Sequence, residues 1–176
     1  MAYIYIAFVN TPGLFATMIR TYLKQKYIHV VISMDAELEE AYSVGRRNPF
    51  IPIFAGFARE DRNKVCGAFP TAEYMICKIE VSNEQKNKIR ERLHNDYKQR
   101  YKYHYAVIGL VPLVCGMPFY QKNHYTCSSY IAKLLEENGI CISDKHFSLI
   151  TPKDFYLYLD KQPIFEGKLK ELIDKE

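Results

Sequence analysis

The chain has 176 residues, a net charge of +4 at pH 7 and 48% hydrophobic residues, which suits one domain with a substantial core. The mild charge gives no indication of nucleic-acid binding, and no run approaches the ~18 apolar residues of a membrane-spanning helix. Five scattered cysteines without a CxxC pair indicate reduced thiols rather than disulfides or a zinc site. We therefore expect one domain over residues 1–176, with no metal or other cofactor.

Strands dominate the predicted elements of the first half of the chain. They are expected at residues 3–9, 28–34, 37–44 and 73–81. A helix is predicted over residues 14–26. Asp35-Ala36 separates the second and third strands, which predicts a two-residue hairpin. Residues 46–64 contain two prolines and a glycine and are expected to form a loop.

Helices dominate the second half. One is predicted to begin after Ser82, a good N-cap, and another to run from Cys127 to Asn138-Gly139, a C-cap signal. The apolar stretch 105–115 is interrupted by glycine and proline, so a helix there would be broken. A turn at Thr151-Pro152 precedes a strand or short helix, and the C-terminal tail is predicted to be a solvated helix. This pattern predicts an α+β domain.

Cys127 is the candidate nucleophile. It begins an amphipathic helix, and Thr126, Ser128 and Ser129 surround it where a core cysteine would have apolar neighbours. A helix N-terminus favours a thiolate over a thiol, and its unpaired N–H groups can stabilise an oxyanion. The alternative is that Cys127 simply fills core, as most free cysteines do.

His29 is the candidate base. It lies near the start of the predicted apolar strand IHVVISM, and a strand holds an imidazole more rigidly than a loop does. His124 is the rival, because it lies three residues before Cys127. It belongs to the incoming loop and need not face the thiol.

Glu40 is the candidate third residue. In the predicted hairpin, residue 29 pairs with residue 42 and residue 31 with residue 40, so His29 and Glu40 share one face as diagonal neighbours. A carboxylate there would orient the imidazole ring. A shift of one residue would place Glu39 on that face instead, and both glutamates could equally belong to an exposed acidic strand.

The order of these motifs resembles the circularly permuted branch of the NlpC-like papain-fold superfamily, specifically YiiX-like cysteine peptidases, with lecithin:retinol acyltransferase-type enzymes as distant relatives. The similar pieces are VNTPGLFATMIRTYLKQKYIHVVI, LEEAYSVG, HYTCSSYIAKLLEENGI and SLITPKDF. The resemblance implies a permuted papain-like fold, with an antiparallel sheet or small barrel packed against helices. It also implies Cys127 as nucleophile, His29 as base and acid, and Glu40 as orienting residue. Ile28 departs from the Ser or Thr that relatives often carry before the histidine.

The resulting hypothesis is a cysteine hydrolase that cleaves an amide bond, a peptidase or amidase acting through an acyl-enzyme. A small peptide or amino-acid conjugate would bind beside Thr126 in an aromatic pocket drawn from Tyr3, Tyr5, Tyr42, Phe50 or Phe54. An acyltransferase, esterase or thioesterase acting on lipid with the same site is the second hypothesis. A non-catalytic binding module is the third, which a buried Cys127 or a His29 turned away from it would favour. The N-terminus lacks the features of a signal peptide, so the expected compartment is the cytoplasm, although a chain trimmed of its leader would look the same.

Overall fold

The structure, a computed structural model, describes residues 1–12, 20, 24–48, 51–106, 113, 115–159 and 163–174, with backbone alone at residues 48 and 51–54. Most of the predicted helix over residues 14–26, and most of the apolar stretch 105–115, lie outside these residues. Phe50 and the side chain of Phe54 also lie outside them.

The described part of the chain contains strands, α-helices and two short 3₁₀ turns. The strands are β1 (Ala2–Asn10), β2 (His29–Ser33), β3 (Ala41–Asn48), β4 (Ile51–Glu60), β5 (Glu73–Val81), β6 (His104–Tyr105), β7 (His124–Tyr125) and β8 (Phe165–Lys168). The helices are α1 (Arg62–Ala68), α2 (Asn83–Lys98), α3 (Cys127–Glu136), α4 (Pro152–Leu159) and α5 (Leu169–Ile173). The 3₁₀ turns are Arg100–Lys102 and Phe147–Leu149.

Six strands form one open antiparallel sheet in the order β4-β3-β2-β1-β5-β8. The remaining two, β6 and β7, pair in parallel as a separate ribbon. The prediction of an α+β domain with an antiparallel sheet is therefore confirmed. The alternative of a small barrel is wrong for the described strands, because β4 and β8 end the sheet as unjoined edges. No helix in the described residues is long and apolar enough to cross a membrane.

Both faces of the central sheet are covered. Along β1, Ile4, Ile6 and Phe8 enter a large cluster with α3, while Ala7 and Val9 enter a smaller cluster that also contains Val65 of α1 and Leu169. Side chains alternate between faces along a strand, so a strand buried on both sides is apolar almost throughout. The sequence YIYIAFV has this character.

Helix α3 lies on the face of the larger cluster, and its N-terminus is capped by its own sequence. The Thr126 hydroxyl accepts the Ser129 N–H, and the Ser129 hydroxyl accepts the Thr126 N–H. Each bond satisfies one donor that the first turn of a helix leaves unpaired. Ile131 and Leu135 are fully buried against the sheet. The cap and this apolar stripe place Cys127 at the first helical position, directly over the sheet.

The predicted loop over residues 46–64 is wrong. Its second part is the ten-residue strand β4, followed by α1, which begins at the Asp61 N-cap. Proline removes a backbone donor, but β4 is an edge strand and Pro52 lies near its start, a position where proline is tolerated. The C-terminal tail is not wholly solvated either, because it supplies β8 and its Leu169 is buried.

The predicted two-residue hairpin after β2 is also wrong. Ile32 pairs with Tyr42 and Ser33 with Ala41, and the Met34 N–H donates to the Glu40 carbonyl at 3.0 Å. The Asp35 carboxylate accepts the N–H groups of residues 39 and 40, both at 2.7 Å, which closes a wider loop. The observed register differs by three residues from the predicted one. Glu40 is therefore not the diagonal neighbour of His29 in the β2–β3 pair.

Candidate active site

Cys127 and His29 are neighbours in the fold, although they lie far apart in the sequence, and each is the main charged group acting on the other. His29 begins β2, and Cys127 begins the helix that packs on β2 and β3. Cys127 is 5% exposed, whereas 26% of the His29 side chain is exposed, so solvent reaches the pair from the imidazole side. The predicted thiol–imidazole juxtaposition is present.

The pair favours the charged form of both groups. Burial alone would lower the pKa of His29, but the charge and hydrogen bond of Cys127, followed by Glu60, raise it to about 10. Burial alone would raise the pKa of the Cys127 thiol, but the charge and hydrogen bond of His29 and the N–H groups of Val30 and Ser128 lower it. A thiolate beside an imidazolium is the reactive form of a cysteine nucleophile.

Glu60, the last residue of β4, is the carboxylate beside the imidazole. Its Oε1 lies 3.4 Å from His29 Nε2 and also accepts a short hydrogen bond from the Ser43 hydroxyl. Ser43 is fully buried on β3, between the strands of the two other residues. This arrangement holds one carboxylate oxygen against the ring, the task assigned by sequence to Glu40.

Glu40 is directed to a different place. Its carboxylate lies 2.9 Å from His94 Nε2 and 3.2 Å from Arg90 Nε, both on α2. The alternative Glu39 is exposed and lies 3.4 Å from Arg62 Nη2. The structure therefore corrects the expected carboxylate neighbour of His29 from Glu40 to Glu60, because the wider loop after β2 moves residues 39 and 40 away.

Gly45 gives the imidazole its space. A Cβ at this position would lie 2.9 Å from His29 Cε1 and 3.4 Å from Nε2. Heavy-atom contacts below 3.0 Å require one partner to move. The glycine on β3 thus lets the ring lie against the strand backbone, between the Cys127 helix and Glu60.

Tyr105 is a site residue that sequence reasoning missed. It belongs to β6, which pairs with β7 so that Tyr105 lies opposite Tyr125, two residues before Cys127. Burial, then the negative charge of the nearby Cys127 sulfur, raises the pKa of the phenol above its usual 10, so the hydroxyl stays protonated. A phenol that stays protonated is a hydrogen-bond donor.

The three predicted substrate-binding residues are placed elsewhere or are already engaged. Tyr42 is 2% exposed and stacks on Phe57 in the core, with ring centroids 5.9 Å apart. Tyr5 packs with the smaller cluster, on the face of the sheet opposite Cys127. Thr126 adjoins the nucleophile, but its hydroxyl serves as the N-cap of α3.

His124, the rival histidine, has partners of its own. Its Nδ1 lies 2.9 Å from the Lys122 carbonyl oxygen, and its ring packs on His104 with centroids 5.1 Å apart. In the described residues, no three His, Cys, Asp or Glu side chains converge in a way that could hold a metal ion.

No protein-family model, curated protein or solved structure matches this chain. The fold and site on their own define an α+β domain in which a cysteine at a helix N-terminus contacts a histidine on an antiparallel sheet. The resemblance to YiiX-like peptidases therefore stays a prediction from sequence.

Proposed function

We propose that this protein is a cysteine hydrolase that cleaves an amide bond, with Cys127 as nucleophile, His29 as acid and base, and Glu60 as orienting residue. The observation that carries the proposal is the placement of Cys127, at the N-terminus of α3, beside a His29 ring whose Nε2 lies 3.4 Å from the Glu60 carboxylate. The opposite charges of the pair lower the thiol pKa and raise the imidazole pKa. A structural cysteine buried among apolar groups would have a raised pKa instead.

The proposed acylation step uses the charges of the resting pair. The Cys127 thiolate attacks the carbonyl carbon, and the carbonyl π electrons move to oxygen. The His29 imidazolium gives its proton to the leaving nitrogen as the C–N bond breaks, which leaves a thioester and a free amine. Since Nε2 faces Glu60 at 3.4 Å, we assign Nδ1 to the sulfur and the leaving group.

The proposed deacylation step returns the pair to its starting state. Neutral His29 takes a proton from water, the hydroxide adds to the thioester carbonyl, and the C–S bond breaks to release a carboxylic acid and the Cys127 thiolate. Glu60 stabilises the imidazolium at both stages without accepting its proton. The Cys127 N–H and the Tyr105 hydroxyl are the donors we assign to the oxyanion.

The same site would serve an acyltransferase if an amine or alcohol replaced water. A non-catalytic binding module is the second candidate, and a specific observation favours it: Cys127 is only 5% exposed. Against it, His29 does not turn away from the sulfur, and a binding role requires neither the pairing of thiol and imidazole nor the carboxylate behind them.

The test is formation of an acyl-enzyme. Incubation with p-nitrophenyl acetate should release one p-nitrophenolate per chain in a rapid burst and leave one acetyl group on Cys127, located by peptide mass spectrometry. His29→Ala should lose the burst. Cys141→Ala, which removes an exposed thiol beyond the end of α3 opposite Cys127, should retain it. Absence of a burst, or acetylation spread over the exposed cysteines, would favour the binding module.

A further inference from the structure

A single buried carboxylate joins three segments around the Cys127 helix. Asp96 lies in the last turn of α2 and is 6% exposed, which makes it the one buried charged residue in the part of the chain that the structure describes. A carboxylate in a core is strongly destabilising unless hydrogen-bond donors surround it. The stability of Asp96 in the core therefore depends on the donors that contact its carboxylate.

Three donors satisfy Asp96. The Tyr103 hydroxyl donates to Oδ1 at 2.6 Å, and the Tyr130 hydroxyl donates to Oδ2 at 2.8 Å. Arg92 Nε donates to Oδ2 at 2.9 Å. Burial and then Asp96 itself raise the pKa of Tyr130 well above its usual value and that of Tyr103 to about 12, so both phenols remain donors at neutral pH.

The Tyr130 bond acts on the first turn of α3. Tyr130 follows Cys127 by three residues, which is nearly one helical turn and places the two side chains on neighbouring positions of one face. Its ring packs against Phe57 of β4, with centroids 4.8 Å apart. Apolar packing alone permits small rotations and translations of a helix, whereas a directed hydrogen bond to a fixed carboxylate restricts both.

The other end of α3 is also tied to α2. Arg92 Nη1 lies 3.3 Å from Glu137, and Gln85 Nε2 donates to the Asn138 carbonyl at 2.8 Å. These two contacts lie near the helix C-terminus, far from Cys127. The Asp96–Tyr130 bond is thus the polar contact between α2 and α3 that lies nearest the sulfur.

We propose that Asp96 is a positioning residue that, through the Tyr130 hydroxyl, holds the first turn of α3 where the Cys127 sulfur meets the His29 ring. This inference rests on the proposed function of the same site. Neither Asp96 nor Tyr130 contacts the reacting atoms, so the effect passes through the placement of the helix.

The experiment compares two variants that each remove one phenol hydrogen bond from the same carboxylate. Tyr130→Phe releases α3, whereas Tyr103→Phe releases the segment before β6 and serves as the matched control. The full-length protein is alkylated with iodoacetamide from pH 5 to pH 9, and labelling of Cys127 is followed by peptide mass spectrometry. Thermal unfolding is recorded for each variant, because both should lose similar stability.

In Tyr130→Phe, we expect the alkylation rate of Cys127 at pH 6 to fall about tenfold, because a reacting group misplaced by a fraction of an ångström loses about this much rate. The pH midpoint of alkylation should move toward the pKa of a free thiol, ~8.5. Tyr103→Phe should keep the wild-type midpoint. Asp96→Asn should shift in the same direction as Tyr130→Phe.

A wild-type midpoint in Tyr130→Phe, or an equal shift in both tyrosine variants, would overturn the positioning role. The wild-type curve itself separates this failure from failure of the proposed function. If the wild-type protein already titrates as an ordinary thiol, the Cys127–His29 pair is what has failed.

Discussion

The His29 ring lies directly against the backbone of Gly45, with space for a hydrogen atom but not for a methyl group. Gly45→Ala should therefore displace the ring from Cys127 and lower the alkylation rate of the thiol at pH 6 about tenfold. Labelling of Cys127 by iodoacetamide, resolved by peptide, measures the effect.

Gly67→Ala is the matched control. Gly67 lies in α1, where a Cβ would meet no atom within 4 Å, so alanine should leave Cys127 reactivity unchanged. It should stabilise the helix by up to about 1 kcal/mol. Wild-type reactivity in Gly45→Ala would show that the ring can move without losing the sulfur.

Glu60→Gln should destabilise the protonated form of His29. Removing the negative charge beside Nε2 removes one of the causes that raise the pKa of His29, so that pKa should fall and the pKa of Cys127 should rise. The midpoint of Cys127 alkylation would move upward, and the p-nitrophenyl acetate burst would slow. Glu40→Gln provides the contrast, because its carboxylate contacts α2 instead and the burst rate should not change. A slower burst in Glu40→Gln alone would return the orienting role to Glu40, and equal effects of the two substitutions would assign it to neither residue.

The stability contributed by the pair should show a plateau in pH. While the folded pair holds a single proton, it and the unfolded chain bind the same number of protons between the unfolded pKa values of about 6.5 for His29 and ~8.5 for Cys127, so the contribution is constant there. Because the thiol pKa is lowered by folding, the contribution falls as pH drops below this range and through the folded thiol pKa. Because the imidazole pKa is raised, the contribution also declines above this range, as pH rises through about 10.

Thermal unfolding of the wild type and of Cys127→Ala/His29→Gln, recorded in steps from pH 5 to pH 10.5, isolates this contribution as a difference. A difference that slopes across pH 7 to 8.5 would mean that the folded pair gains or loses a proton within that range, and a difference that is flat from pH 5 to pH 10.5 would mean that folding does not shift the two pKa values.

Substitution of the two buried cysteines by alanine should distinguish a role in reactivity from a role in packing. Cys127→Ala should abolish the burst, and its cost in stability should depend on pH as the contribution of the pair does. Cys77→Ala, in the middle of β5, should leave the burst intact and lower the free energy of unfolding by about 1 kcal/mol, since it creates a small cavity between sheet and helices. Urea unfolding and the burst assay, run on both variants, give the comparison. The reverse outcome would make Cys127 a packing residue.

The parts of the site that could be predicted are those with strong local signals. Cys127 could be placed because a polar N-cap precedes an apolar helical stripe, and His29 because an apolar run follows it. Glu60 could not be placed, because two prolines give the sequence around the edge strand β4 the pattern of a loop. The prediction of Glu40 is wrong because the Asp35 side chain, rather than a tight turn, sets the hairpin register. The position of Tyr105 near Cys127 results from a parallel pairing of two residues, which is too short to give a periodic pattern in the sequence.

The sheet residues of the site and its cysteine come from distant parts of the chain, with β2, β3 and β4 supplying one side and α3 the other. Contacts between such separated segments form late in folding, because closing the intervening loop has a large entropic cost. A compact intermediate with formed helices but loose packing would leave Cys127 an ordinary thiol. The reactivity of this one sulfur during refolding, sampled with pulses of alkylating reagent, therefore reports when α3 packs against β2.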